Sequence, residues 1–190
     1  KFKVLGKLIA TPSSPVEYYS TTYYSPSTFA NLTHGVWAGN ATTQNAIMVD
    51  QSLFTDCHYG VTLSESDDGV VTRNKFNRTE ESTWFGYQYD IYTNRASGYT
   101  IEGNEVTKQG GDPVIGITNE NSGVEDNEVY RNKLVVVEHG VYGYGLNKNS
   151  LTAGNARGLE YLCNTFDENS SQDQLCGEVN SGDGVKFRQG

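Results

Sequence analysis

GVVTRNKF (69–76) is the stretch that decides the fold, because its form returns down the chain as GYTIEGNEV (98–106), GVEDNEV (123–129), GLNKNSL (145–151) and GLEYLCNTF (158–166). Each copy opens on a glycine and an apolar residue and closes on asparagine, one variable residue and another apolar residue. The asparagines of the first four copies are Asn74, Asn104, Asn127 and Asn149. A second phrase is interleaved with the first: HGVW (34–37), YGVT (59–62), FGYQ (85–88), IGIT (115–118) and HGVY (139–142), with glycines Gly35, Gly60, Gly86, Gly116 and Gly140. Two interleaved series that both recur at about 22 to 30 residues mark a structural repeat, and such a period belongs to solenoids, propellers and arrays.

Within each repeat apolar and polar residues alternate, as in GVTLS (60–64) and GYTIE (98–102), which is the period of half-buried strands and not of helices. The repeat is too short for a four-stranded propeller blade and lacks the leucine pattern of horseshoe solenoids. Three short strands and three bends fill it at about 3.3 Å of rise per strand residue. The spacing therefore predicts an all-β fold, a parallel β-helix of about five or six coils, right-handed because parallel crossovers are. Asparagine fits a bend through its tolerance of left-handed backbone, and stacked copies can form amide ladders. The expected core positions are Val36, Val61, Tyr87, Ile117 and Val141 from one series and Phe76, Val106, Val129 and Leu151 from the other.

Residues 1–33 stand outside the repeat. They hold a strand candidate (2–9), a turn at 11–15 and a Tyr/Ser/Pro-rich excursion, readable as a preceding coil or a loop on the solenoid; repeats run from 34 to 190. Neither end carries a polar cap of the kind solenoids need, so the chain is expected to be part of a longer protein. The net charge of −9 is spread along the chain, which disfavours nucleic acid and anionic membranes as partners. No apolar run is long enough to insert in a membrane. Three cysteines, Cys57, Cys163 and Cys176, match no metal spacing; Cys163 and Cys176 are expected to close a disulfide loop and Cys57 to remain a small buried hydrophobe.

Thirteen tyrosines and two tryptophans supply the strongest candidates for function. If the residue after each glycine of the second series points inward, the next points out, and that column reads Trp37, Thr62, Gln88, Thr118 and Tyr142, with Tyr144 of the same parity. Rings beside hydroxyls and amides suit stacking on sugars, so Trp37, Gln88, Tyr142 and Tyr144 are the candidate binding residues. The competing reading is that such rings stack in the core or lie under neighbouring domains. A catalytic alternative uses Asp67–Asp68, Glu138–His139 and Lys186 with Arg188, which are faintly similar to the acid pair, histidine and basic motif of β-helical polygalacturonases. Glycoside cleavage does need two carboxylates flanking one bond. An Asp-Asp-Gly triplet is more often a turn, however, and His139 lies several periods away. His34, His58 and His139 share no metal-ligand spacing, and Asp167, Glu168 and Asn169 form no complete calcium loop, so no metal or cofactor is expected.

The phrases RGLEYLCNTF (157–166) and YGYGLN (142–147) resemble large bacterial surface or secreted proteins with right-handed β-helix repeats, in particular those exported by type IX secretion. The resemblance covers residues 34–166 as a style of repeat and brings no catalytic residues with it. It implies a secreted, adhesin-like, non-catalytic module at the bacterial surface, with neighbouring domains, another surface protein or glycans as partners. A polysaccharide lyase or glycoside hydrolase on the same scaffold is the alternative.

Overall fold

The structure is a computed structural model describing residues 2–4, 7–10, 23–39, 47–79, 84–110, 112–123, 125–147, 158–167, 172–176 and 186–188; for 2–4, 7–10, 23–24, 172–176 and 186–188 it describes the backbone. Asn149, Leu151, Glu168, Asn169 and the turn at 11–15 lie outside the described residues.

Three parallel sheets enclose one core. The first stacks Phe2–Val4, Ile47–Asp50, Val70–Thr72, Thr100–Glu102, Asn127–Tyr130, Leu159–Leu162 and Lys186–Arg188. The second stacks Ser27–Ala30, Ser52–Thr55, Lys75–Arg78, Glu105–Lys108, Lys133–Val135 and Thr165–Asp167. The third stacks His34–Gly39, Tyr59–Ser64, Gln88–Asn94, Val114–Glu120, His139–Tyr144 and Gln172–Cys176. The chain visits the sheets in that order on every turn, so six strands in each of the second and third sheets make six coils of a parallel β-helix, as the period predicts. A short antiparallel pair, Lys7–Ala10 with Tyr23–Ser25, stands apart from the three sheets.

The corner between first and second sheets explains the asparagines. There the chain turns through one left-handed residue per coil: Gln51, Arg73, Gly103, Arg131 and Cys163, with φ of 51°, 53°, 62°, 53° and 52°. Four of the five carry a side chain in a region that costs of order 1 kcal/mol for a residue other than glycine. An amide ladder beside the corner offsets that cost. Asn74 Nδ2 donates to Asn104 Oδ1 at 3.0 Å, Asn104 Nδ2 to Asn132 Oδ1 at 2.9 Å, and Asn132 Nδ2 to Asn164 Oδ1 at 3.0 Å. Each Oδ1 also accepts the backbone N–H of the preceding asparagine. The ladder corrects the sequence reading: Asn127 is not the third member. It begins a first-sheet strand, and its Nδ2 donates to the carbonyls of Ser122 and Glu125. The true third and fourth members, Asn132 and Asn164, precede Leu134 and Phe166 just as Asn74 and Asn104 precede Phe76 and Val106.

Stacking from coil to coil also builds the core. Phe29, Phe54 and Phe76 of the second sheet stack with ring centroids 4.9 and 4.8 Å apart. Glycines of the third sheet make room for them: a Cβ on Gly35 would lie 2.6 Å from the Phe54 ring, and one on Gly60 would lie 2.6 Å from that of Phe76. Val36, Val61, Ile117, Val141, Phe76, Val106 and Val129 are buried as expected. Tyr87 is not: it is 45% exposed, and Ile91 fills the position assigned to it. The register shows why. Tyr89 aligns with Tyr59 and Ile91 with Val61, so FGYQ (85–88) lies before the strand phrase and Asp90 takes the glycine's place.

Candidate functional site

The outward face of the third sheet carries three register columns. His34, Tyr59, Tyr89, Ile115 and His139 form one; Trp37, Thr62, Tyr92, Thr118 and Tyr142 the second; Gly39, Ser64, Asn94, Glu120 and Tyr144 the third. Alternation along each strand sends Val61 and Leu63 into the core and leaves Thr62 and Ser64 outside them, which is how a two-residue period becomes a face. The structure thus brings Trp37, Tyr142 and Tyr144 onto one surface. Trp37 is 52% and Tyr144 40% exposed, and the Tyr142 and Tyr144 rings lie 6.2 Å apart.

Gln88 does not belong there. It is 1% exposed and accepts a hydrogen bond from Arg78 Nη1 at 3.0 Å. The same slip of register that removed Tyr87 from the core removes Gln88 from the face, and Tyr92 occupies the position instead. Tyr59, Tyr89 and Tyr92 are the members that sequence reasoning missed. Aligning five residues, HGVWA, YGVTL, YDIYT, IGITN and HGVYG, instead of the glycine alone would have found them.

The rings of this face fall into two kinds. His34, Tyr59 and Tyr89 stack nearly parallel, with centroid separations of 4.7 and 5.2 Å and interplanar angles of 10° and 7°, so they largely cover one another's faces. Tyr92 is inclined by 60° to Tyr59 and 56° to Tyr89. Its hydroxyl donates to Glu120 Oε2 at 2.5 Å and accepts from Asn94 Nδ2 at 3.4 Å. Burial and the Glu120 contact push the Tyr92 phenol up, and burial does the same to Tyr89 and Tyr142, so all three stay neutral hydrogen-bonding groups through the ordinary pH range. Burial, with His58 second, lowers the pKa of His34, whose Nδ1 lies 3.1 Å from Thr62 Oγ1. Beside the first column, His58 Nε2 donates to the Tyr87 carbonyl at 3.2 Å and its ring packs against Trp84.

Chemically the face is aromatic, hydroxyl-rich and poor in charge. The five third-sheet strands from His34 to Tyr144 contain no lysine or arginine, and Glu120 is the one carboxylate on their outward columns. No group of three or more metal-ligating side chains occurs among the described residues.

The catalytic candidates are not brought together. Asp67 and Asp68 sit where the chain turns from the third sheet to the first, beside a cavity of about 380 Å³ lined also by Ser97, Gly98, Glu125 and Asp126. There Ser97 Oγ donates to Asp67 Oδ1 at 2.6 Å. Glu138 and His139 enter the third sheet three strands further on, and Lys186–Arg188 is the last strand of the first sheet. Cys163 carries a free, exposed thiol in the corner between first and second sheets, and the side chain of Cys176, its expected partner, lies outside the described residues. Cys57 is buried and free.

A family model described as right handed beta helix region matches residues 16–188. No curated protein and no solved structure matches the chain.

Proposed function

This chain belongs to the right-handed β-helix family, and on that premise we propose that it is a non-catalytic binding module, displayed at a bacterial cell surface or secreted, which holds neutral glycans on the outer face of its third sheet. The observation that carries the proposal is the gathering of Trp37, Tyr92, Tyr142 and Tyr144 on one face whose described strand residues include hydroxyls, an amide and one carboxylate but no lysine or arginine. Rings supply apolar surface for the C–H faces of sugars, and Ser64, Asn94 and Glu120 supply partners for their hydroxyls. Uronate polymers, the substrates of the lyase alternative, would meet Glu120 and a net charge of −9 on a sheet whose strands from His34 to Tyr144 carry no lysine or arginine. The separation of Asp67 and Asp68 from His139 likewise favours binding over cleavage.

Binding to immobilised neutral and acidic polysaccharides tests the reading. The wild-type protein should retain at least one neutral polymer, and the triple variant Trp37→Ala/Tyr142→Ala/Tyr144→Ala, folded by circular dichroism, should lose it. Undiminished binding in that variant rejects this face. Release of reducing ends or unsaturated uronates that stops in Asp68→Asn would replace the proposal with the enzyme alternative.

A further inference from the structure

We infer that the glycan runs along the long axis of the solenoid, across successive third-sheet strands, and is an extended neutral chain gripped at alternate sugars; the inference rests on the binding face proposed above. The middle column alternates large and small: Trp37, Thr62, Tyr92, Thr118, Tyr142. Adjacent strands lie about 4.8 Å apart, so the rings recur about every 9.6 Å and the outer two stand about 19 Å apart. Both threonines are only 3% exposed, so they lie covered between their neighbours and the larger side chains make up the exposed surface of the column.

A single terminal sugar covers one ring of such a stripe. An extended chain of equatorially linked pyranoses repeats its apolar faces at the disaccharide, a stride matching rings on every second strand. Successive weak contacts on one ligand then add through effective concentration, so affinity grows with chain length until the stripe is filled. The column of His34, Tyr59 and Tyr89 does not compete, because its rings cover one another.

The posture of Trp37 supports the same path. A Cβ on Gly39 would lie 2.7 Å from Trp37 Cζ2 and 3.0 Å from Cη2, so the indole reclines over the bare backbone of Gly39, two residues along the same strand. One face is thereby turned to the protein and the other to solvent, where a chain passing over the sheet would meet it. Gly39 is in this reading a positioning residue for the ring.

Calorimetric titration with cello-, manno- and xylo-oligosaccharides, from disaccharide to hexasaccharide, tests the inference. In at least one series the affinity should rise about tenfold or more with length. Gly39→Ala keeps the indole but displaces it. It should weaken hexasaccharide binding about fivefold, the scale of one aromatic contact, with little change for the disaccharide. A disaccharide that binds as tightly as the hexasaccharide overturns the axial path while the binding face stands. An unchanged hexasaccharide affinity in folded Gly39→Ala overturns the role given to the indole's posture. If neither neutral oligosaccharides nor neutral polysaccharides bind, the proposed function fails and takes this inference with it.

Discussion

Asn104 shows what one residue does in this architecture. It is 1% exposed and accepts from both the N–H and the side-chain amide of Asn74, while its own Nδ2 donates to Asn132 Oδ1 and to the Val71 carbonyl at 2.8 Å. Asn104→Ala leaves several buried groups without partners at roughly 1 to 3 kcal/mol each. A loss of about 3 kcal/mol or more is expected in urea denaturation, whereas exposed Asn77→Ala should fall within about 0.5 kcal/mol of wild type. Tyr99 gives a second residue-scale prediction. Its buried hydroxyl bonds Ser122 Oγ at 2.7 Å and Asn119 Nδ2 at 2.9 Å, and burial pushes its pKa up to about 12 from 10.0. The folded state therefore holds the phenol's proton more tightly than the unfolded chain does. The resulting stability is complete below pH 10 and is lost as pH climbs toward 12. Tyr99→Phe should have a shallower decline of stability over that window, and an identical decline would contradict the assignment.

At the scale of an element, the strand Gln88–Asn94 is the one that departs from its neighbours. Asp90 stands where the flanking strands have Gly60 and Gly116. It is paired with Arg78, Nη2 to Oδ1 at 2.6 Å, and both side chains are 2% exposed or less. Burial raises the Asp90 carboxyl while Arg78 holds it down, and Arg78 also donates to Gln88 and the Cys57 carbonyl. Gly35 and Gly60 underlie Phe54 and Phe76 of the next coil, whereas Asp90 comes before a coil whose second-sheet residue is Val106, and the smaller side chain accommodates the larger acid. Arg78→Ala alone should cost about 3 to 5 kcal/mol by stranding a buried carboxylate. Asp90→Gly/Arg78→Leu restores the column's glycine and should recover most of that loss; a double variant as unstable as the single would refute the pairing account. This strand is also where the sequence misled. Period-two alternation and repeated phrases made the fold legible, together with seven of the expected core residues and three of the four face residues. FGYQ (85–88) matched the glycine phrase by composition, but a buried ion pair had taken the glycine's place, so Tyr87 and Gln88 were read four residues out of phase. A long-range pair such as Arg78 with Asp90 leaves no periodic trace. Nor could spacing alone separate Asn127, which starts a strand, from the ladder formed by Asn132 and Asn164.

Over the whole molecule, coils stacked in register turn a weak local pattern into continuous columns. Each coil buries its apolar residues against its neighbours, so stability is a sum of coil and interface terms along one axis. The same stacking lines the outer surface with repeated chemistry, and the three sheets differ in what they repeat. Charged residues such as Lys75, Glu105 and Lys133 run along the second sheet, while rings and hydroxyls run along the third. A long aromatic stripe with a single carboxylate beside it, on a stiff rod, is suited to an extended neutral ligand. The protein's two tryptophans allow a direct test. Trp37 lies on the stripe, whereas Trp84 lies off it, with its Nε1 donating to the Asp56 carbonyl at 3.0 Å. In nitrogen-15 correlation spectra the two indole N–H signals can be assigned by single substitution and followed during titration with soluble neutral polysaccharides. The Trp37 signal should move in a saturable way with at least one of them while the Trp84 signal stays near its starting position. Movement of Trp84 alone, or a stationary Trp37 signal with a polymer that demonstrably binds, would contradict the claim that the outer face of the third sheet is the binding site.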